Sequence, residues 1–149
     1  MRIKRKDYNE ITSSYVYNDG NRHVYCNVAG DPIYVHDDDD GFEYRKRYSI
    51  SGKLISYENS NGYKENYRYD KSGNVIYYKN SDKYESYSEY DDKNRVIRFS
   101  DSTGYWYNRI FDDRGNVVYY SNSSGFEVWR DYDIDNNVVH YSDSNGYMY

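Results

Sequence analysis

Residues 56–76 read SYENSNGYKENYRYDKSGNVI, and residues 77–97 read YYKNSDKYESYSEYDDKNRVI. The two stretches align without a gap, so the sequence repeats with a period of 21 residues. Each copy holds two turn signals, NSNG-like at Asn59 to Gly62 and DKSGN-like at Asp70 to Asn74 in the first copy. Runs of strand length that are rich in Tyr, Val and Ile separate these signals. Each copy is therefore predicted to form one β-hairpin.

The same period extends along nearly the whole chain. Five full copies cover residues 35–139, preceded by a degenerate copy at 14–34 and followed by a truncated copy at 140–149. Residues 1–13 are interpreted as an N-terminal cap, because the terminal units of repeat arrays are atypical. The sequence predicts a single all-β domain over residues 1–149. Its tandem 21-residue antiparallel β-hairpin repeats are expected to form a curved sheet or a β-solenoid-like array.

Aromatic side chains supply most of the apolar surface, since 24 of the 149 residues are Tyr and 30% are charged. Alternate side chains of a strand point to the same face, which sorts the aromatic residues into columns. The columns predicted to form the core are Tyr57, Tyr78, Phe99, Tyr120 and Tyr141; Phe42, Tyr63, Tyr84, Tyr105, Phe126 and Tyr147; and Tyr48, Tyr69, Tyr90, Phe111 and Tyr132. No single copy is expected to be stable alone.

Charge and cysteine content narrow the class of protein. The net charge is −5, with acidic and basic residues interspersed, so the dense positive footprint of a nucleic-acid binder is missing and nucleic acid is not expected as a partner. The single Cys26 excludes an internal disulfide. No apolar run approaches the length of a signal-peptide core or a membrane span. We therefore expect a soluble protein of the cytoplasm without a membrane partner.

The string YRYDKSGNVI at residues 67–76, echoed at Phe111 to Val118 and at Tyr132 to Val139, resembles the YD repeats of the RHS family. The resemblance covers most of residues 35–149. It implies β-hairpin repeats, which in RHS proteins wind into large shells around a toxin cargo. This chain carries neither a cargo domain nor a protease-like core segment, so the shell function is not transferred to it.

A second resemblance concerns the amino-acid sequence of the turns. The strings ENSNGY and SDSTGYW are similar to those of small Tyr-rich repeat proteins encoded by bacteriophages. This likeness implies a viral accessory protein, although none of its motifs specifies an activity.

Catalytic and metal-binding constellations are not recognised in the sequence. The residues His23, His36 and His140 lie far apart in the repeat register, and a surface or strand role is expected for each. The run Asp37 to Asp40 aligns with the turns of other copies and lacks the ligand spacing of an EF-hand loop, so it is interpreted as a solvated acidic turn. We expect no enzyme activity, no cofactor and no metal site.

The positions that differ most between copies are the better candidates for function, because the fold does not dictate them. Trp, Tyr and Arg at such positions are the residue types that dominate interface hot spots. The predicted partner-binding residues are Tyr44, Arg45, Trp106, Tyr107, Arg109, Trp129 and Arg130. Packing against a neighbouring sheet layer is an equally open interpretation of Trp106 and Trp129.

The sequence leaves three functions open. The first is a non-catalytic protein-binding repeat module, in its narrower form a phage-encoded inhibitor or adapter that binds a host defence complex. The second is a carbohydrate or cell-surface binding module that uses aromatic side chains, and a weaker third is an acidic mimic of DNA. A homodimer through the terminal strand edges is also expected, because unpaired edges favour pairing.

Overall fold

The computed structural model describes residues 15–149, and thirteen β-strands follow one another through them. Residues 1–14, which include the predicted cap, lie outside the described residues. The strands are β1 (Tyr15–Asp19), β2 (Arg22–Cys26), β3 (Pro32–Asp37), β4 (Glu43–Tyr48), β5 (Leu54–Asn59), β6 (Lys64–Tyr69), β7 (Val75–Asn80), β8 (Glu85–Tyr90), β9 (Val96–Asp101), β10 (Trp106–Phe111), β11 (Val117–Asn122), β12 (Glu127–Tyr132) and β13 (Val138–Asp143). Their order in the sheet equals their order in the sequence. The predicted all-β architecture of tandem antiparallel hairpins is confirmed.

The chain divides into two compact units. The first comprises the residues up to Arg68 together with Lys79–Asp82, and the second comprises Tyr69–Tyr78 together with Lys83–Tyr149. Each unit is described below by its own contacts.

Two kinds of turn alternate along the chain, as the sequence predicts. In the first kind, the Asn59 side-chain oxygen accepts hydrogen bonds from the backbone N–H groups of Asn61 and Tyr63. In the second kind, the Asp70 carboxylate accepts from the backbone N–H and the side-chain amide of Asn74. These Asx-type bonds satisfy backbone donors that no strand partner reaches, so the turn chemistry is local.

The second kind of turn requires a left-handed backbone at its fourth residue. Gly73 has a φ of 90°, and Asn94 in the same column has a φ of 61°. Gly and Asn are the residues that tolerate this region. A β-bulge accompanies this turn, since the register shifts between Glu89 and Tyr90, where β8 enters the turn.

The predicted aromatic columns lie beside one another in the sheet. Rings of the first two columns pair in five successive copies, at centroid distances of 5.7 to 6.4 Å. Most of these rings are half-buried, because they are covered chiefly by neighbours along the sheet. We call this series of ring pairs, one in each of five copies, the aromatic ladder.

The most deeply buried side chains lie mainly in the degenerate copy, which the sequence pattern did not place. The buried residues are Val24, Tyr25, Cys26, Ile33, Tyr34, Val35 and, in the second unit, Val128 and Ser121. These residues of β2 and β3 form two separate clusters, with Tyr44 packed against the cluster of Val24, Cys26 and Val35 and Tyr48 against the cluster of Tyr25, Ile33 and Tyr34. Both faces of these two strands are thus buried, which explains their continuous apolar triplets.

Candidate binding face

Exposure alternates with a period of two along β6 and along parts of β8, β9 and β12. In β6, Lys64, Asn66 and Arg68 are exposed while the residues between them are half-buried. Of the three half-buried positions, that of Tyr69 belongs to a column that holds only Tyr and Phe, whereas the other two belong to columns that also change between copies. The exposed positions belong to columns whose chemistry changes from copy to copy. We call the side of the sheet that carries these exposed positions the variable face.

Two columns show how strongly the variable face changes. One reads Arg45, Asn66, Tyr87, Asn108 and Trp129, and the other reads Arg47, Arg68, Glu89, Ile110 and Asp131. The neighbouring half-buried column, by contrast, holds only Tyr and Phe. Because β4, β8, β10 and β12 pair with the strand that follows each of them in the same register, packing requirements do not account for this variation.

The variable face of the second unit exposes large apolar side chains. Register places them on one side of the sheet, since Ser100 lies opposite both Tyr87 and Trp106, and Tyr119 lies opposite both Ile110 and Trp129. Met148 joins them through its pairing with Ser142, which lies opposite Trp129. The exposed members of this apolar stripe are Tyr87, Trp106, Ile110, Trp129 and Met148.

A concave site lies at one end of this stripe. It has a volume of about 970 Å³ and is lined by Ile110, Tyr119, Trp129 and Met148, among other residues. The Tyr119 and Trp129 rings lie 5.5 Å apart at an angle of 45°. The Asp131 carboxylate and the His140 ring, 3.4 Å apart, add a polar rim. Apolar surface with few polar groups is typical of sites that bind other molecules.

A smaller hollow of about 280 Å³ lies between Tyr87 and Trp106. Tyr77 packs against the Tyr87 ring at 5.0 Å, which supports the exposed ring from one side. An ion pair of 3.2 Å between Arg98 and Glu89 borders the hollow. The two exposed Trp residues are therefore each set beside a second aromatic ring or a charged group.

The predicted binding residues of the second unit divide between the two faces. Trp106 and Trp129 lie on the variable face and are 40% and 44% exposed. The Arg109 guanidinium lies 4.4 Å above the Tyr107 ring, and the Arg130 guanidinium lies 5.7 Å from the Tyr141 ring, both on the opposite face. Such cation–π contacts brace the aromatic ladder.

The two predicted residues of the first unit also separate. Tyr44 packs against the cluster of Val24, Cys26 and Val35, and this burial raises the pKa of its hydroxyl. Arg45 lies on the variable face, 3.7 Å from Glu58. Tyr44 thus has a packing role, whereas Arg45 belongs to a charged surface.

Comparisons with known proteins bear on the fold. No family model matches the chain, and no curated protein matches it. A solved structure of a TcdB2-TccC3-Cdc42 complex matches 80% of this chain with a TM-score of 0.58 at 14% identity. The Tc holotoxin pore of Photorhabdus luminescens, carrying a TccC3 mutation, matches 85% with a TM-score of 0.51 at 14% identity.

These matches support the resemblance to RHS and YD hairpin repeats at the level of the fold. This chain spans only 7% and 9% of the two matched chains. The resemblance to bacteriophage proteins receives no support from the comparisons.

Sequence reasoning missed Tyr87, Ile110 and Met148 as members of the exposed stripe. The signal was present, because Tyr87, Trp106 and Trp129 occupy strand positions of the same parity. Sorting the variable residues by parity separates these from Tyr107, Arg109 and Arg130 without a structure. Residue type alone was the weaker criterion.

A histidine pair in the first unit was also missed. His23 and His36 lie opposite each other on β2 and β3, and the Asp38 carboxylate bridges their Nε2 atoms at 2.6 and 3.2 Å. The other ring nitrogen of His36 lies 2.9 Å from Glu43. The acidic run is thus a turn, as interpreted, and it orders side chains around it.

Residues 15–149 contain no group of three or more His, Cys, Asp or Glu side chains placed to hold a metal ion. No helix in this part of the chain is long and apolar enough to cross a membrane.

Proposed function

We propose that this protein is a non-catalytic protein-binding repeat module that uses the variable face of its second unit. The observation that carries the proposal is the apolar stripe, in which Trp106 and Trp129 are exposed on the side of the sheet that changes from copy to copy. The half-buried ladder on the other side supplies a rigid support. Binding residues held on strands lose little conformational freedom when a partner docks.

The chemistry of the stripe fits a protein partner. Trp and Tyr are enriched in interface hot spots, where truncation of one such residue costs about 2 kcal/mol or more of binding free energy. Exposed apolar patches rimmed by polar groups mark interaction surfaces. Here Ile110 and Met148 extend the apolar area, and Asp131 with His140 forms part of the rim.

The test is the double variant Trp106→Ala and Trp129→Ala. The immobilised wild-type protein is expected to retain one protein from a host lysate, and the double variant is expected to lose it. The matched control is Ile50→Ala with Ile134→Ala, because both side chains are exposed apolar residues of turns. Equal retention by wild type and the Trp double variant would contradict the proposal.

The narrower form of the proposal is a phage-encoded inhibitor or adapter that binds a host defence complex. Its support is the likeness of the ENSNGY and SDSTGYW strings to small phage repeat proteins. Identification of the retained protein as a subunit of a defence complex, with loss of its activity on addition of this chain, is the expected result. Retention of a protein without such a role would contradict it.

A carbohydrate-binding function is the second candidate. The concave site of about 970 Å³ places the Tyr119 and Trp129 rings beside the polar groups of Asp131, His140 and Ser142. Rings that stack on a sugar, next to groups that bond its hydroxyls, would form such a site. Binding of the wild type to defined glycans on an array, with loss in Trp129→Ala, would favour this function over protein binding.

A further inference from the structure

The exposed rings of the variable face are flanked by carboxylates. Glu127, Trp129 and Asp131 alternate along β12, so both acids share the face of the ring between them. Residues two apart on a strand lie about 7 Å from each other. The same order recurs on β8, where Glu85 and Glu89 flank Tyr87. An aromatic ring between two acids is thus built twice in the second unit.

The carboxylates around Trp129 are available to form ion pairs with a cationic group of a partner molecule. The Glu127 side chain has no hydrogen-bond or ion-pair partner among residues 15–149, since the bond it shares with Ser144 uses its backbone N–H. Asp131 is mostly exposed, and its one ion-pair partner among residues 15–149 is the His140 ring, at 3.4 Å. Neither acid is neutralised by an Arg or a Lys of the described residues.

The negative charge of the two acids on β8 is partly balanced by neighbouring side chains. Arg98 lies 3.2 Å from Glu89, and the hydroxyls of Tyr77 and Tyr87 reach Glu85 at 3.5 and 3.4 Å. Across β8 to β12 the strand positions of the variable face thus carry four carboxylates and one guanidinium: Glu85, Glu89, Glu127, Asp131 and Arg98. The electrostatic potential of this face favours a cationic partner.

We propose that the variable face of the second unit binds a basic protein segment and that Lys or Arg side chains of this segment stack on Trp129 and Tyr87. A cation above a Trp or Tyr ring is attracted by the ring's π-electrons, and flanking carboxylates add ion pairs to the same group. The two rings lie four strands apart, which corresponds to about 19 Å across the sheet. The partner segment therefore presents basic residues at two places, with apolar side chains against Trp106 and Ile110 between them.

This inference rests on the proposed protein-binding function and adds the chemistry of the partner. A random peptide library displayed on yeast is selected on the wild-type protein. The selected peptides are expected to be enriched in Lys and Arg next to aromatic or large aliphatic residues. Their affinities are then measured as synthetic peptides by calorimetry.

The decisive variant is Glu127→Gln with Asp131→Asn, which removes both charges around Trp129 and keeps the shapes. We expect its affinity for the selected peptides to fall about tenfold, as for the loss of two partly exposed charge pairs. Raising the salt concentration from about 0.05 M to about 0.5 M is expected to weaken wild-type binding and to narrow this difference. The matched control is Asp92→Asn with Asp113→Asn, which removes the same charge from exposed turns. It is expected to change the affinity less than about twofold.

The outcomes separate the two proposals. The basic-segment inference would be overturned if the selected peptides were neutral or acidic, or if the turn control lowered the affinity as much as Glu127→Gln with Asp131→Asn. The protein-binding face would still stand in that case, provided that Trp106→Ala with Trp129→Ala abolished binding. If the Trp double variant selected the same peptides as the wild type, the proposal that this face binds proteins would be contradicted. Selection of no peptide above an unrelated protein would overturn both.

Discussion

The Tyr90 hydroxyl donates a hydrogen bond of 3.1 Å to the backbone carbonyl of Val75, fifteen residues earlier in the chain. Tyr132 makes the equivalent bond to Val117 at 3.1 Å. In these two copies the aromatic residue that precedes the Asp of the second turn therefore reaches back over the preceding hairpin. Phe111 occupies this column without a hydroxyl, and the Arg95 guanidinium lies 4.2 Å above its ring. The column joins successive hairpins by a polar bond or by a cation–π contact.

Replacement of Tyr90 by Phe is expected to lower the free energy of unfolding by about 1 kcal/mol. The variant keeps the ring and leaves the Val75 carbonyl without the donor that the tyrosine supplies. Urea denaturation followed by tryptophan fluorescence measures the change. Tyr87→Phe is the control, because its side chain is 52% exposed and the bond of its hydroxyl to Glu85 is long, at 3.4 Å. Equal midpoints for the Tyr90 variant and the wild type would refute the role of the bond.

Replacement of Ser102 by Ala is expected to lower the free energy of unfolding by about 0.5 to 1 kcal/mol. The Ser102 hydroxyl accepts from the backbone N–H of Glu85 at 3.0 Å, and the Ser102 N–H donates to the Glu85 carbonyl at 2.8 Å. Only the first bond is lost in the variant. We call this pair of bonds between Ser102 and Glu85 the clamp. The control is Ser88→Ala in β8, and a loss of stability as large as that of Ser102→Ala would show that the effect is not specific to the clamp.

Much of the fold follows from two properties of the sequence, its 21-residue period and its turn residues. Asp70 and Asn74 form their turn by local bonds, so the pattern predicts it without tertiary information. The clamp between Ser102 and Glu85 joins residues 17 positions apart. Its sequence signal is a serine that recurs at this turn position as Ser60, Ser81, Ser102, Ser123 and Ser144, and recurrence does not identify the group that the serine contacts.

The candidate site was only partly predictable for a related reason. Residue type selected Trp129 and Arg130 together, although adjacent strand residues point to opposite faces. Parity would have separated them, but it would not have told which face is the more exposed one. That depends on where the ladder of half-buried rings lies. His23, which pairs with His36, lies in the degenerate copy, where the period gives no register.

The left-handed turn residue Asn136 offers a test of backbone strain. Its φ is 65°, and its side-chain oxygen accepts from the Asn116 amide at 2.8 Å. Asn136→Ala loses both the tolerance for this φ and the bond, whereas Asn136→Gly loses only the bond. We expect the Ala variant to be less stable than the Gly variant by about 1 kcal/mol in urea denaturation. Equal stability of the two variants would show that backbone strain does not limit this turn.

The turn carboxylates predict a loss of stability in acid. The side-chain amide of Asn116 and backbone N–H groups donate to Asp112 and hold the pKa of its carboxyl below the ordinary value of about 3.9. Asn137 lowers the pKa of Asp133 in the same way. A carboxyl whose pKa is lowered by folding stabilises the fold above its unfolded-state pKa, and this contribution disappears as the pH falls through the folded-state value. Urea midpoints are therefore expected to decrease from about pH 5 to about pH 3.

The double variant Asp112→Asn with Asp133→Asn is expected to be less stable than the wild type at neutral pH and to show a shallower decrease of the urea midpoint with falling pH. A decrease as steep as that of the wild type would assign the acid sensitivity to other groups.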